Sequence, residues 1–126
     1  MKTKLYFKAS ADTPEVSFDK ENSTFIMNGR SMPEDAFEFY KPIIAWVVDY
    51  IKDPNPKTEF NVTFEYFNSA SVKQVLELLM LLENLISAGK DAKIVWHYKE
   101  DDDLMEVKGQ EIKSMLSVPF EFMVED

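Results

Sequence analysis

The sequence predicts an α/β protein built on a mixed β-sheet, with two long helices and one shorter helix mainly on one face. Several short segments alternate between apolar and polar residues, which is the pattern of strands with one buried face. Between the later segments, apolar residues recur every three or four positions, as on the buried side of a helix. A strand followed by a helix and another strand favours a right-handed crossover between parallel strands.

The first third of the chain is predicted to form short strands joined as a hairpin or meander. These strands cover residues 4–8, 15–18 and 24–28. The polar stretch 19–23 and the Asn28–Gly29 pair are typical of turns. We therefore expect the chain to reverse direction at both places.

A long helix is predicted to follow these strands. Pro33, Glu34 and Asp35 open it, because proline fits the first turn and acidic side chains favour the positive end of the helix dipole. The helix runs to about Lys52, before the loop 53–56. Its apolar residues form one stripe at helical spacing: Phe39, Ile43, Trp46, Val47 and Tyr50.

The second half of the chain alternates strands with helices, which gives the order β-β-β-α-β-α-β-α-β. Residues 59–66 alternate strictly, with Phe60, Val62, Phe64 and Tyr66 on the buried face. A long helix from about Ala70 to Ala88 ends at Gly89, where a left-handed cap is expected. The remaining segments are strands at 93–98 and 119–124 and a more polar helix at about 104–116, capped by Asp103.

Composition excludes several classes of protein. With 45% hydrophobic residues in 126, the chain can bury the core of a single domain. A net charge of −9 and scattered lysines argue against nucleic acid, and the absence of cysteine excludes disulfides and thiolate metal sites. The most apolar run, 75–86, is shorter than the roughly 20 residues of a membrane span. Without a signal-peptide pattern, a cytoplasmic location is expected.

No motif for catalysis, cofactor binding or metal binding is found. His97 is the only histidine, and it lies opposite Trp96 and Tyr98 on a predicted strand, without an identifiable nucleophile. Residues 101–103 are acidic but lack the spacing of a calcium-binding loop. We therefore expect a protein that is not an enzyme and holds no cofactor or metal.

One segment combines position and chemistry, namely Asn68 to Lys73 between a strand and a long helix. Asn68, Ser69 and Ser71 can each cap the helix by accepting hydrogen bonds from free backbone N–H groups. A phosphate on Ser69 would instead meet those N–H groups, with Lys73 one turn further along to pair with it. Structural capping and phosphorylation both remain open from the residues alone.

Three stretches of the chain resemble the SiaC-like regulatory phosphoproteins, which are distant relatives of the STAS-domain anti-sigma-factor antagonists. They are residues 32–40 leading to Trp46, residues 64–73 running into 76–83, and residues 95–98. The resemblance covers nearly the whole chain and implies a STAS-like architecture. The family pattern has Thr followed by two serines where this chain has Ser69, Ala70 and Ser71.

The resemblance implies a phosphorylation switch. A cognate serine/threonine kinase would phosphorylate Ser69, with Ser71 as the alternative acceptor, and a PP2C-type phosphatase would remove the phosphate. Asn68, Ala70 and Lys73 would form the phosphate neighbourhood. The unphosphorylated form would bind and activate a diguanylate cyclase or another signalling protein, which would connect the switch to cyclic di-GMP and biofilm formation.

Aromatic residues near Ser69 are the candidate anchors for such a partner: Phe37, Tyr40 and Phe67. Two other functions remain open. One is a constitutive interaction module in which Ser69 is only a cap. The other is a small-ligand-binding protein that uses the aromatic region of Trp96, His97 and Tyr98.

Overall fold

A computed structural model describes residues 2–125 and contains a six-stranded mixed sheet. The strands are β1 (Lys4–Phe7), β2 (Glu15–Asp19), β3 (Thr24–Ser31), β4 (Lys57–Phe67), β5 (Asp91–Lys99) and β6 (Phe120–Glu125). The helices are α1 (Ala36–Tyr50), α2 (Ser69–Met80), α3 (Glu83–Ser87) and α4 (Asp103–Ser114). The predicted α/β fold with a mixed sheet is confirmed.

The strands lie side by side in the order of the sequence. β1, β2 and β3 pair antiparallel, whereas β3, β4, β5 and β6 pair parallel. Each parallel step therefore contains a helical crossover. As a result, α1, α2 and α4 all begin at the carboxyl ends of the parallel strands.

One face of the sheet carries the core and the other remains polar. Register places Phe18 beside Phe25 and Phe60 beside Ile94, and the rings of Phe25 and Phe60 stack with centroids 5.4 Å apart. The buried side chains of the helices join this same cluster. Each large apolar side chain buried there stabilises the fold by about 1.5–3 kcal/mol. Within residues 2–125, no helix is both long and apolar enough to cross a membrane.

The first half of the chain differs from the prediction at two places, the Asn28–Gly29 pair and the start of α1. Strand β3 continues through the Asn28–Gly29 pair to Ser31, because Gly29 adopts φ +128°, a conformation open to a residue without Cβ. Helix α1 begins at Ala36, so Pro33 and Glu34 precede it. Asp35 is its N-cap and accepts a hydrogen bond from the Glu38 N–H.

The predicted long helix over 70–88 is wrong, since it divides into α2 and α3. Between them, the N–H groups of Leu81 and Leu82 donate to carbonyls three residues earlier. The Asn84 side chain then donates to the Leu81 carbonyl at 2.9 Å. Apolar residues continue at helical spacing across this tight turn, so periodicity alone does not reveal it. Gly89 has φ +81°, as predicted for the cap.

Two side chains near the ends of strands also correct the predictions. Tyr66 is exposed instead of buried, because Gly29 pairs with Phe64 and Arg30 with Tyr66, which leaves Glu65 as an extra residue in β4. This bulge reverses the alternation after Phe64. The cap of α4 is Asp102 and not Asp103, since its carboxylate accepts from the Met105 N–H at 3.1 Å.

Candidate functional site at the start of helix α2

The junction between β4 and α2 is fixed by an N-cap. Asn68 has an extended backbone, and its side-chain oxygen accepts a hydrogen bond from the Ser71 N–H at 2.9 Å. This bond satisfies one of the free donors in the first turn, as capping residues do. The Asn68 N–H donates in turn to the Ser31 carbonyl at the end of β3. The start of α2 is therefore joined to the neighbouring strand.

The two serines of this turn lie in opposite environments. Ser69 is the first residue of α2 and is exposed, whereas Ser71 has no exposed surface. Two residues along a helix differ in direction by about 200°, so one points to solvent when the other points to the sheet. Ala70 and Lys73 are also exposed. Ser69 is thus the accessible hydroxyl of the pair.

Three buried hydroxyl groups meet beneath this turn and form what we name the hydroxyl clamp: Ser31, Tyr40 and Ser71. Ser71 Oγ donates to the Ser31 carbonyl at 3.0 Å, and Ser31 Oγ donates to Ser71 Oγ at 2.9 Å. Tyr40 Oη lies 2.7 Å from Ser31 Oγ. Burial raises the pKa of Tyr40 to about 12. The clamp connects α1, β3 and α2.

The first turn of α2 differs in charge from those of α1 and α4. The caps of α1 and α4 are carboxylates, and their first turns also contain acidic residues: Glu38 in α1, and Asp103 and Glu106 in α4. The cap of α2 is the neutral Asn68, and its first turn holds no acidic side chain. The positive end of the α2 dipole therefore lacks the negative charge that accompanies the other two.

Trp96, His97 and Tyr98 do not form one ligand site. Trp96 is buried beneath α4 and its indole N–H donates to the Met105 carbonyl at 3.0 Å. His97 lies on the open face, with Nε2 2.9 Å from the Asn61 side-chain oxygen. A cavity of about 360 Å³ at the ends of the strands is lined by Tyr98 without the other two. The structure thus separates the residues that the ligand-binding hypothesis brings together.

Between residues 2 and 125, no three His, Asp or Glu side chains are arranged to hold an ion. The acidic stretch 101–103 contributes the cap of α4 through Asp102.

Comparison with known proteins decides the family. The model of the SiaC family of regulatory phosphoproteins matches residues 7–125. The chain belongs to the SiaC family. An uncharacterized protein of Pseudomonas aeruginosa (strain UCBPP-PA14) is 26% identical over 122 residues, which are 97% of each chain. The resemblance predicted from the sequence is confirmed.

Solved structures of SiaC from Pseudomonas aeruginosa have the same fold as this SiaC-family chain. One aligns with a TM-score of 0.88 at 25% identity and covers 98% of this chain and all of that one. Another, SiaC in a complex where it is the activator of the diguanylate cyclase SiaD, aligns with a TM-score of 0.90 at 26% identity, over 96% and 99%. The family is regulatory, which confirms the prediction of a protein that is not an enzyme.

The predicted aromatic anchors divide into exposed and buried side chains. Phe37, at the start of α1, is 54% exposed and is available to a partner. Tyr40 and Phe67 are wrong as surface anchors, because both are buried. Tyr40 belongs to the hydroxyl clamp, and the Phe67 ring packs 5.2 Å from Phe64 and 6.1 Å from Trp96.

An exposed pair, not predicted from the sequence, lies on the polar face of the sheet. The Arg30 guanidinium lies 5.9 Å from the centre of the Tyr66 ring, and both residues are exposed. The bulge in β4 brings them together. Because the bulge arises from pairing with β3, the alternation within β4 carries no signal for it.

Proposed function

We propose that this SiaC-family chain is a regulatory switch controlled by phosphorylation of Ser69. The observation that carries the proposal is the contrast between its two candidate acceptors. Ser69 is exposed at the first position of α2, whereas Ser71 is buried and donates its proton to Ser31. Of these two serines, a kinase acting on the folded protein reaches only Ser69.

The site accommodates a phosphate without unfolding the helix. A phosphoserine adds about −1.5 to −2 charges near neutral pH. At Ser69 this charge lies beside free backbone N–H groups and the positive end of a dipole that has no acidic residue in its first turn. Lys73 is exposed one turn further along and supplies a counter-charge. The modification therefore changes the surface more than the fold.

The unphosphorylated form binds and regulates a diguanylate cyclase in this proposal. Support comes from the Pseudomonas aeruginosa complex of SiaD with its activator SiaC, whose fold extends over nearly all of this chain. Phe37 lies in the first turn of α1, at the same end of the parallel strands as Ser69, and offers an apolar anchor. A phosphate at that end disrupts the complex by repulsion and by the cost of desolvating the charge. The output is cyclic di-GMP synthesis and biofilm formation.

A cognate serine/threonine kinase and a PP2C-type phosphatase set the phosphorylation state. The substitution of Ser for the Thr of the family pattern keeps a hydroxyl at the acceptor position. Ala70 replaces the next hydroxyl of that pattern, and Ser71 is buried, so one acceptor remains in this turn.

The test has two steps and uses Ser87→Ala as a matched control, since Ser87 is an exposed serine at the end of α3. The protein is first incubated with the cognate kinase and ATP and analysed by intact-mass and peptide mass spectrometry. We expect one phosphate on Ser69 in the wild type and in the control, and none in Ser69→Ala. Absence of phosphate from the wild type, with a kinase active on another substrate, would contradict the switch.

The second step measures the affinity for the cyclase. Ser69→Ala should bind as the unphosphorylated wild type does, whereas the phosphorylated protein should bind at least about tenfold more weakly, equivalent to roughly 1.4 kcal/mol. Equal affinity of both forms would leave a constitutive interaction module as the better function.

A further inference from the structure

Helix α1 carries two buried tyrosines whose hydroxyl groups lie at opposite ends of the parallel strands. At one end, Tyr50 Oη lies 2.6 Å from Thr58 Oγ1 near the start of β4. At the other end, Tyr40 Oη lies 2.7 Å from Ser31 Oγ, in the last residue of β3. The first pair accepts the Asn55 N–H through Tyr50 Oη, whereas the second continues through Ser71 into the turn that contains Ser69. The chain therefore contains a natural control for the hydroxyl clamp.

The protons of the clamp have a single consistent arrangement. Ser71 donates to the Ser31 carbonyl, and Ser31 donates its only hydroxyl proton to Ser71 Oγ. Ser31 therefore has no proton left for Tyr40, so Tyr40 must donate to Ser31 Oγ. The direction of donation runs from Tyr40 through Ser31 and Ser71 to the Ser31 carbonyl. All three buried hydroxyl protons are used, which makes the arrangement rigid.

The clamp fixes the residues on both sides of Ser69. The Asn68 N–H and the Ser71 hydroxyl both donate to the Ser31 carbonyl, at 3.1 and 3.0 Å. The Asn68 side chain and the Ser71 N–H close the turn at 2.9 Å. Ser69 lies between these fixed points and is itself exposed. Its Cα–Cβ direction is consequently fixed through the hydrogen bonds of its neighbours Asn68 and Ser71.

We propose that Ser71 and Ser31, supported by Tyr40, are positioning residues that orient the Ser69 hydroxyl for phosphoryl transfer, so that the kinase recognises the folded turn. This inference rests on the proposed function. Holding a nucleophile in a productive geometry lowers the barrier of a displacement reaction substantially, and small misplacements are costly. Loss of the Ser71 hydroxyl frees one side of the turn and lets Ser69 deviate from that geometry.

The reaction itself follows the usual course of phosphoryl transfer. Ser69 Oγ attacks the γ-phosphorus of ATP held by the kinase, and a new P–O bond forms as the bond to the β,γ-bridging oxygen breaks. ADP leaves, and the hydroxyl proton of Ser69 passes to a base of the kinase. The clamp hydroxyls are buried and engaged with each other, so they do not serve as that base. Their contribution is the position of Ser69.

The experiment compares Ser71→Ala with Thr58→Val, which removes a buried hydroxyl of the same kind at the opposite end of the parallel strands. Both are assayed as full-length substrates of the cognate kinase with ATP, and the melting temperature of each is measured. We expect Ser71→Ala to lower kcat/KM for phosphorylation about tenfold or more, mainly through kcat. Thr58→Val should change kcat/KM less than about twofold at a comparable loss of melting temperature.

Tyr40→Phe provides a second variant in case Ser71→Ala does not fold, because it keeps the ring and removes only the outermost hydroxyl. It should lower kcat by a smaller factor than Ser71→Ala. Equal rates for the wild type and the clamp variants, or equal slowing by Thr58→Val, would overturn the inference alone. Phosphate mapped to Ser71 would also overturn it. A wild type that accepts no phosphate would overturn both the proposed function and this inference.

Discussion

Helices α2 and α4 begin at the same end of the parallel strands and each has an N-cap, but they contact the sheet differently. The start of α2 is fixed by directional hydrogen bonds from Asn68 and Ser71 to the Ser31 carbonyl. Helix α4 instead packs its Gly109 against aromatic rings: a Cβ at that position would lie 2.6 Å from Trp96 Nε1 and 2.7 Å from Phe122 Cε1. The absence of a side chain lets the indole reach the Met105 carbonyl.

This difference between the two helices shows that close packing and hydrogen bonding contribute different things to a fold. Apolar contact of the kind found at α4 has no preferred direction and adds to stability in proportion to the area removed from water. Hydrogen bonds of the kind found at α2 contribute only about 0.5–1.5 kcal/mol each, but they specify an angle as well as a distance. The first turn of α2, which contains Ser69, is therefore fixed to β3 by interactions that define direction, whereas Val75, Leu78 and Leu79 of the same helix pack into the apolar core.

Among the substitutions that test this comparison, Gly109→Ala should change the free energy of unfolding most. The added methyl group must displace two rings that are themselves buried or packed against the core, and overpacking of this kind costs about 1–3 kcal/mol. Because Ala is more favourable than Gly in a helix interior by about 1 kcal/mol, we expect the free energy of unfolding, measured by urea denaturation, to fall by about 1–2 kcal/mol.

Gln110→Ala is the matched control, since Gln110 is the exposed neighbour on the same helix. Its effect should remain within about 0.5 kcal/mol. If Gly109→Ala proved equally neutral, Trp96 would have room to move, and close packing would not be what holds α4.

The elements of the fold were accessible from the sequence because their patterns are local. Alternation predicted strands such as β4, and the spacing of three and four predicted α1. The polar residues at the start of α2 indicated a cap, and Asn68 provides it. Each of these features depends on side chains within one or two turns of each other.

The remaining features depend on contacts between distant segments. Tyr66 is exposed because β4 has a bulge in its pairing with β3, and the sequence of β4 alone does not predict that bulge. Tyr40 is buried in the core, where Ser31 of β3 pairs with its hydroxyl, while Phe37, on the same helix, is exposed. An aromatic residue near the start of a helix is compatible with both outcomes until the partner segment is known.

Raising the pH should destabilise the hydroxyl clamp by ionising its buried phenol, Tyr40. The described contacts of α4 involve no such group. The pKa of Tyr40 is raised to about 12 by burial, whereas a phenol in the unfolded chain titrates near 10. The stabilisation from the neutral phenol is therefore complete below about pH 10 and is lost as the pH rises towards 12. At pH 11, one unit above the unfolded value, the loss is about 1.4 kcal/mol.

Tyr40→Phe isolates this contribution, since the other ionisable groups titrate in both proteins. At pH 8 the variant should be less stable than the wild type by about 1 kcal/mol, the contribution of a hydrogen bond. The difference should vanish or reverse by pH 11. Parallel stability curves for the two proteins across this range would show that Tyr40 is not the group responsible.

The smallest expected effect concerns the charge in the first turns of α2 and α4. Ser69→Asp introduces an acidic side chain at the positive end of α2, where the first turn has none, and should raise the free energy of unfolding by about 0.3–1 kcal/mol at low salt. Asp103→Asn removes one from α4 and should lower it by a similar amount. Both effects should fade in 1 M salt, where the Debye length is about 3 Å. If Ser69→Asp instead destabilised the protein, repulsion from the acidic starts of α1 and α4 would exceed the dipole term, and a phosphate on Ser69 would loosen α2 as well as repel a partner.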